Sequence, residues 1–304
     1  MTKQEILDTI ELRQSTLKTW LSCPLMYRFR HIDKLEPVFR YPGTIHGSAL
    51  HRCLKNMHEG EWNSDLRSLY IKALNHYLYA SDEEHIPVRW KRDMQKEVEA
   101  LTKNGVEILE NYRSKAYNCD AIVLFSEVQF RVKILGYLFT GTIDQVRKNA
   151  DDSISLIDFK SSKMRPNQYA IPNDLQLTLY SYALKFGEVL VDDIWVKPNM
   201  MVESAGIYFL RGHEVYKRKV VGKEIGDEKG NPFMMTRKSI QDLRAFRHEV
   251  RAQLSAMLKN WYYPNTASCS FCTYATHCVS RNDNVPEKDA EMAHELLAEL
   301  NMAS

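Results

Sequence analysis

The chain has 304 residues, room for one large domain or two modest ones, and its 44% apolar content is that of a globular protein. Its 41 Lys and Arg against 39 Asp and Glu leave a net charge of +2, which excludes a globally basic nucleic-acid binder, so any phosphate contacts must come from local clusters. No apolar run approaches the roughly 18–20 residues of a membrane span, and residues 1–11 are polar and lack a signal-peptide core. The expectation is an intracellular protein with no membrane partner, whose six cysteines are better suited to metal or cluster binding than to a disulfide framework.

Residues 1–14 read as a short lead-in. Ser15 is a plausible N-cap for a helix through Leu17, Trp20, Leu21, Leu25 and Phe29, and Pro24 within it predicts a kink near Cys23. Taken alone, Cys23 reads as a small buried apolar residue. Residues 40–44, with Pro42 and Gly43, read as a loop. A helix follows, carrying Gly47, Ser48, Ala49, Leu50 and His51 in its early turns, where small residues permit close approach of another element. His51 by itself reads as a packed or solvated histidine. Residues 65–115 predict two or more helices, the second opened by Pro87. Arg89, Lys91 and Arg92 at its start form a solvated face or a contact for a nucleic-acid strand. Cys53 and Cys119 fit ordinary burial.

The most informative stretch runs from Gly141 to Tyr180. Residues 123–134 and 137–147 are rich in β-branched and aromatic residues around Leu135-Gly136, a tight connection. Residues 149–152 form a second turn, and residues 154–159 a third strand. Asp144 therefore lies on one strand and Asp158 on its neighbour, with Lys160 two residues on and facing the same way. Residues 174–186 are apolar at helical spacing and present Gln176 and Tyr180 on one face. Two carboxylates and a lysine on one sheet surface suit a hard cation and an activated water, with the lysine stabilising charge on a phosphate. A bare Asp-x-Lys is equally a strand-end charge pair, and the three motifs in this order are far more specific. Ser161, Ser162, Lys163 and Arg165 follow as a hydroxyl-rich basic loop, either suited to a phosphate backbone or simply polar.

Further strands are expected at residues 194–196, 205–210 and 215–221, then a charged, glycine-rich loop over 222–232. A long amphipathic helix over 239–261 carries Arg244, Arg247 and Arg251 as a basic stripe on its outer side. Cys269, Cys272 and Cys278 then fall within ten residues, strong evidence for a metal or cluster in an intracellular protein, with Cys23 available as a fourth thiolate. Structural zinc on the same four thiolates, or with His277 in place of one, is the alternative. Residues 282–304 read as a terminal helix.

The series Gly141-x-x-Asp144, Asp158-x-Lys160 and Gln176-x-x-x-Tyr180 resembles the RecB-type branch of the PD-(D/E)XK nucleases, which cut DNA with divalent metal. A Gly-x-x-x-His helix precedes the strand motifs in that branch, and Gly47 and His51 match it. The resemblance implies that His51, Asp144, Asp158 and the Phe159 carbonyl bind Mg²⁺ or Mn²⁺, the imidazole favouring Mn²⁺. It implies that Lys160 assists the attacking water, and that Gln176 and Tyr180 position the DNA strand or the water. Related nucleases carry a glutamate near Glu127, lining the DNA groove or contacting a metal ligand. One early cysteine with a late Cys-x2-Cys-x5-Cys is similar to the iron–sulfur subgroup, which includes the AddB nuclease and the CRISPR-associated adaptation nucleases. This implies a [4Fe–4S] cluster on Cys23, Cys269, Cys272 and Cys278, clasping the two chain ends.

The implied fold is α/β: a restriction-endonuclease-like central mixed sheet flanked by helices, in one domain over residues 1–304. It would carry a helical insertion at about 62–118 and a cysteine lobe from 15–30 and 262–282. The implied activity is that of a 5′ to 3′ single-stranded DNA exonuclease in recombination, repair or phage DNA processing. The alternatives are a single-strand endonuclease or an end-binding adaptation subunit that trims only within a complex. No Gly-x4-Gly-Lys-Ser/Thr motif is present, so the expectation is a stand-alone nuclease or one that borrows a helicase or recombination partner. Its expected setting is the cytoplasm of a bacterium or archaeon, or a phage-infected cell.

Overall fold

The computed structural model describes residues 12–79, 86–116, 121–162, 164–165, 167–211, 217–220, 223–226 and 232–278. The expected terminal helix over 282–304, Cys119 and Lys163 lie outside them. At the centre is a long hairpin of β1 (Ile122–Ile134) and β2 (Tyr137–Lys148). Its turn, Leu135-Gly136, has φ of 56° and 90° at the two positions, the left-handed pair that matches strand twist in a two-residue connection. β3 (Ile154–Lys160) pairs antiparallel with β2, and β4 (Glu188–Val191) and β5 (Ile194–Val196) extend the β1 edge. β6 (Ser204–Phe209) lies parallel to β3, and β9 (Phe233–Arg237) closes that edge. The result is a mixed seven-stranded sheet in the order β5-β4-β1-β2-β3-β6-β9. β7 (Lys217–Val220) and β8 (Lys223–Gly226) form a separate hairpin.

Helices cover both faces. α1 (Gln14–Ser22), α5 (Leu175–Phe186) and α6 (Ile240–Leu258) share one core with sheet residues such as Phe130, Leu156 and Phe209. α2 (Pro42–Asn56), α3 (Leu66–Tyr79) and α4 (Met94–Ala116) share the other with Ile157, Phe159 and Tyr208. The period-2 alternation of β3 decides where the chemistry goes. Leu156 faces the α5 core, so Asp158 and Lys160 share its side, whereas Phe159 anchors the α2 core. Among the described residues no helix is long and apolar enough to cross a membrane.

Several boundaries differ from the sequence expectation, most of them at prolines. Arg13, not Ser15, is the N-cap of α1. The chain turns extended at Cys23 (φ −162°, ψ 110°), and Pro24 opens a new short helix, as a residue preceding proline is driven to do. Pro42 belongs to no loop; it is the first residue of α2, where its fixed φ and missing N–H cost nothing. Pro87 opens no helix. It lies in an extended segment whose carbonyl accepts from Arg40 N at 2.8 Å, and α4 starts only at Met94. Part of the expected 222–232 loop is strand β8, and β9 has no counterpart in the sequence reading. α6 begins as expected, with Ser239 and Asp242 forming a reciprocal capping box.

α3 and α4 are seated against each other by one close approach. A Cβ at Gly105 on α4 would lie 2.3–2.7 Å from ring atoms of Tyr70 on α3. Tyr70 is fully buried, and its hydroxyl lies 2.5 Å from His46 Nδ1 on α2. The ring therefore has little freedom to retreat. Gly105→Ala should destabilise by about 1–3 kcal/mol, as overpacking does, although alanine is the better helix former. Chemical denaturation should show a lower midpoint than wild type; an unchanged or raised midpoint would refute the packing argument.

Candidate functional site

β2 and β3 place Asp144 and Asp158 on adjacent strands, one residue beyond the pair Gln145↔Ile157. Asp144 Oδ2 accepts a 2.7 Å hydrogen bond from Phe159 N, which locks its carboxylate across the strand gap. The β1–β2 ladder runs through Ser126↔Gln145 and Val128↔Ile143 and skips Glu127 and Asp144 between them. Glu127 sits there with φ of 47°, a left-handed conformation that a non-glycine residue adopts only under constraint from its surroundings. The distortion aims the Glu127 carboxylate at α2. Its Oε1 lies 2.9 Å from His51 Nδ1, which is also 3.5 Å from Asp144 Oδ2. The other ring nitrogen, Nε2, lies 3.1 Å from the Phe159 carbonyl oxygen. One ligand atom each from His51, Glu127 and Asp144 falls within 4.8 Å of the others.

The opposite side is built from α5. Lys160 Nζ is 2.6 Å from Asp158 Oδ2 and donates to Gln176 Oε1 at 3.1 Å. Gln176 Nε2 donates to Asp158 Oδ1 at 2.7 Å and reaches the Tyr180 hydroxyl at 2.8 Å. Asp174 caps α5 through Leu177 N, which fixes the turn that carries Gln176. The i, i+4 spacing of Gln176 and Tyr180 thus becomes one hydrogen-bonded line ending on a buried carboxylate.

Burial dominates the protonation of these groups. It raises the Asp158 carboxyl to about 7, with Asp144 adding to the rise and Lys160 opposing it. Asp144 is raised for the same reason, against the pull of His51. For His51 burial alone would lower the pKa, but Asp144 and Glu127 outweigh it and lift it to about 9. Both ring nitrogens face oxygen acceptors, as an imidazolium requires. Lys160 is likewise raised, its burial outweighed by Asp158. The cluster is thus a buried anionic well, neutralised from one face by His51 and from the other by Lys160. Carboxylates, a main-chain carbonyl and one imidazole form a donor set that fits a hard divalent cation.

Residues 11–279 match the model of the PD-(D/E)XK nuclease superfamily. The chain belongs to that superfamily. Its members use divalent metal ions, and the mixed sheet with helices on both faces is their fold. No curated protein matches the chain. Among solved structures, a candidate exonuclease from Eubacterium rectale is similar over 89% of this chain and 88% of its own, at 11% identity and a TM-score of 0.48. The protein SSO0001 is similar over 87% of this chain and 94% of its own, at 15% identity and a TM-score of 0.32. Neither similarity is close enough to carry a functional argument.

The nuclease places most of the sequence-selected residues in this region. His51, Asp144, Asp158, Phe159, Lys160, Gln176 and Tyr180 form one connected network. Glu127, expected at the DNA groove or behind a ligand, stands instead among the compact trio, while both Asp158 oxygens are engaged by Lys160 and Gln176. No sequence signal marks the left-handed backbone that puts Glu127 there. Ser161 and Ser162 line the cleft beside Lys160, and Arg165 does not.

A second cluster forms where the chain ends meet. Cys23, Cys269, Cys272 and Cys278 line one small pocket with Leu25, Met26 and Phe29. Burial raises the Cys272 thiol, and the neighbouring Cys23, Cys278 and Cys269 add to the rise. Backbone N–H groups of Asn265 and Tyr274 lie 3.4 Å from the sulfurs of Cys23 and Cys272. A four-thiol donor set, two buried and two half-buried, with N–H groups aimed at sulfur fits a thiolate-held metal group. Cys53 is buried apart from it, as expected.

The raised Asp158 pKa has a signed consequence for stability. A carboxyl with a folded pKa near 7 and an unfolded one near 3.9 binds more protons folded than unfolded between those values, so its ionisation costs stability as pH rises through that window. With divalent ions chelated, Asp158→Asn should gain melting temperature over wild type progressively from pH 4 to 7, with the gain levelling off above 7. Parallel melts at pH 4, 6 and 8 test this, and a variant less stable than wild type at pH 8 would contradict it.

Proposed function

We propose that this nuclease is a Mg²⁺- or Mn²⁺-dependent deoxyribonuclease that degrades single-stranded DNA from free ends, in the 5′ to 3′ direction, in recombination, repair or phage DNA processing. The observation that carries the reading is the buried carboxylate cluster beside a large cleft lined by His51, Glu127, Phe159 and Lys160. At about 1800 Å³ the cleft exceeds the roughly 300–1,000 Å³ of small-molecule pockets and suits a polymer. The direction rests on the resemblance to the iron–sulfur relatives. The chain would act as a single domain over 1–304, with an insertion over 62–118 and a lobe from 15–30 and 262–282, alone or beside a helicase.

In this reading His51, Asp144, Asp158 and the Phe159 carbonyl hold the cation, with Glu127 as a further carboxylate donor. Bound there, a divalent ion supplies Lewis acidity and lowers the pKa of water. Lys160 is kept charged by Asp158 and aimed by Gln176, so its Nζ is placed to hold an attacking water or to stabilise negative charge growing on the phosphate. Tyr180 stays a neutral hydroxyl, because burial pushes its ionisation well above the usual range, and it anchors Gln176 from behind.

Asp144→Ala and Lys160→Ala should each lower cleavage by at least two orders of magnitude, the scale of a lost catalytic group, with the fold retained by circular dichroism. End-labelled linear and closed circular single strands, assayed with Mn²⁺, separate the modes. Linear substrate should shorten from its 5′ end while circles resist. Equal cutting of circles would make the enzyme an endonuclease, and unimpaired variants would remove the nuclease assignment.

For the cysteine lobe we propose a [4Fe–4S] cluster. The distant Cys23 and the five-residue gap before Cys278 support the cluster over structural zinc on the same thiolates. Protein purified without oxygen should be brown with about four irons per chain, and Cys23→Ser should lose iron as fully as Cys272→Ser. A colourless, zinc-retaining protein would decide for zinc.

A further inference from the structure

The cleft carries more positive charge than the rest of the molecule would suggest. Its lining includes Arg52, Lys55, Arg89, Lys91, Lys160 and Arg211 against Glu59, Glu97 and Glu127. This local excess of three is larger than the net charge of +2 for the whole chain. The charge is arranged in two rows. On α2, Ser48, Arg52 and Lys55 lie at i, i+4 and i+7 and form a stripe that passes alongside His51, one turn of helix per step. Arg52 is exposed and forms no ion pair among the described residues, and Lys55 meets only Glu59, at 3.7 Å on an exposed face, a pair that contributes little.

A second pair lining the same cleft is Arg89 and Lys91, on the segment before α4. Arg40 fixes this segment. Its backbone brackets it through Arg40 N to Pro87 O and Arg89 N to Arg40 O, at 2.8 and 2.9 Å. Its guanidinium reaches Tyr77 O at 3.1 Å and Leu78 O at 3.3 Å, the last carbonyls of α3. Since Arg40 lies two residues before Pro42, the first residue of α2, the two rows are held at a set separation. Arg211 is different in kind: its Nε donates to Ser161 O at 3.0 Å and another of its nitrogens to Asn104 on α4, so it ties the insertion to the loop after Lys160.

We infer that Arg52 and Lys55, with Arg89 and Lys91, form a track for the phosphates of a nucleic-acid strand, leading it along α2 to the carboxylate cluster. The inference rests on the nuclease reading above. Contacts from these four cationic side chains go to phosphates, so they hold the strand without reading its sequence, and binding through them releases counterions.

The test is the affinity of the full-length protein for a labelled mixed-sequence single-stranded oligonucleotide, in Ca²⁺ and at several salt concentrations. Arg52→Ala/Lys55→Ala should bind on the order of tenfold more weakly at 0.1 M salt. Its log K against log salt slope should be shallower by about 1.4, the loss of two phosphate contacts at about 0.7 each. The single-turnover rate at saturating DNA in Mn²⁺ should stay within about twofold, because the chemistry is untouched. Lys18→Ala/Lys133→Ala removes the same charge from exposed positions elsewhere and should leave affinity and slope unchanged. A wild-type protein that binds and cuts DNA while the α2 double variant keeps its slope overturns the track alone. Equal weakening by both double variants also overturns it, by making the effect one of net charge. A wild-type protein that neither binds nor cuts DNA removes the nuclease reading and the track with it.

Discussion

Burial of like charges at the β2–β3 junction is the constraint on which the site depends. Asp144 and Asp158 are almost completely buried, and taking a carboxylate out of water costs several kcal/mol unless charge or hydrogen bonds compensate it. The compensation comes from separate elements on opposite faces of the sheet. His51 reaches in from α2 and Lys160 turns towards α5, so neither layer can be removed without leaving an uncompensated carboxylate. The two hydrophobic cores that hold those layers are therefore also what sets the protonation of the site. A cation entering the well would take over work that His51 does in its absence.

The same arrangement explains the local distortion of β1. A regular ladder would pair Glu127 with Asp144 and leave its side chain to the pleat. Ile143 and Val146, three residues apart, both enter the α5 core, so the alternation of faces slips within this stretch. The left-handed turn at Glu127 is the counterpart of that slip on the neighbouring strand. Strain of this kind costs on the order of 1–3 kcal/mol and persists where surrounding structure over-determines it. Here the flanking ladder pairs and the 2.9 Å contact with His51 do so.

What could be read from the sequence follows the range of the interactions involved. The β1–β2 hairpin, β3 and α5 were legible because their signals are local: a turn dipeptide, β-branched and aromatic enrichment, and apolar residues at helical spacing. Asp144, Asp158, Lys160, Gln176 and Tyr180 were legible with them, since strand alternation and the i, i+4 rule fix their directions. The prolines were read less well. Pro42 and Pro87 both looked like punctuation, and only tertiary context made one the first residue of a helix and the other part of an extended wall held by Arg40. β9 escaped because its partner, β6, lies more than twenty residues upstream across a charged stretch. No local pattern marks Arg52 and Lys55; only the fold brings them into one cleft with Arg89 and Lys91.

The cysteine lobe joins these layers at a distance. Ser268 Oγ donates to Ser22 O across 246 residues, and Asn265 Nδ2 does the same at 2.8 Å. Closing a loop of that length costs roughly 5 kcal/mol of chain entropy by the (3/2)RT ln n rule, more than two hydrogen bonds at about 1 kcal/mol each return. The small apolar cluster of Leu25, Phe29 and Tyr274 adds to them, yet a thiolate-held group bridging both ends would offset the cost far more completely. The lobe is not remote from the site, because Ser270, between Cys269 and Cys272, lines the same cleft as His51 and Lys160. Val38 N also bonds Thr273 O at 2.9 Å, just before Arg40 begins the extended wall. Whatever fixes the four cysteines therefore also fixes one end of the cleft and the approach to Arg40. Stability of the clasp and shape of the cleft are set by the same contacts.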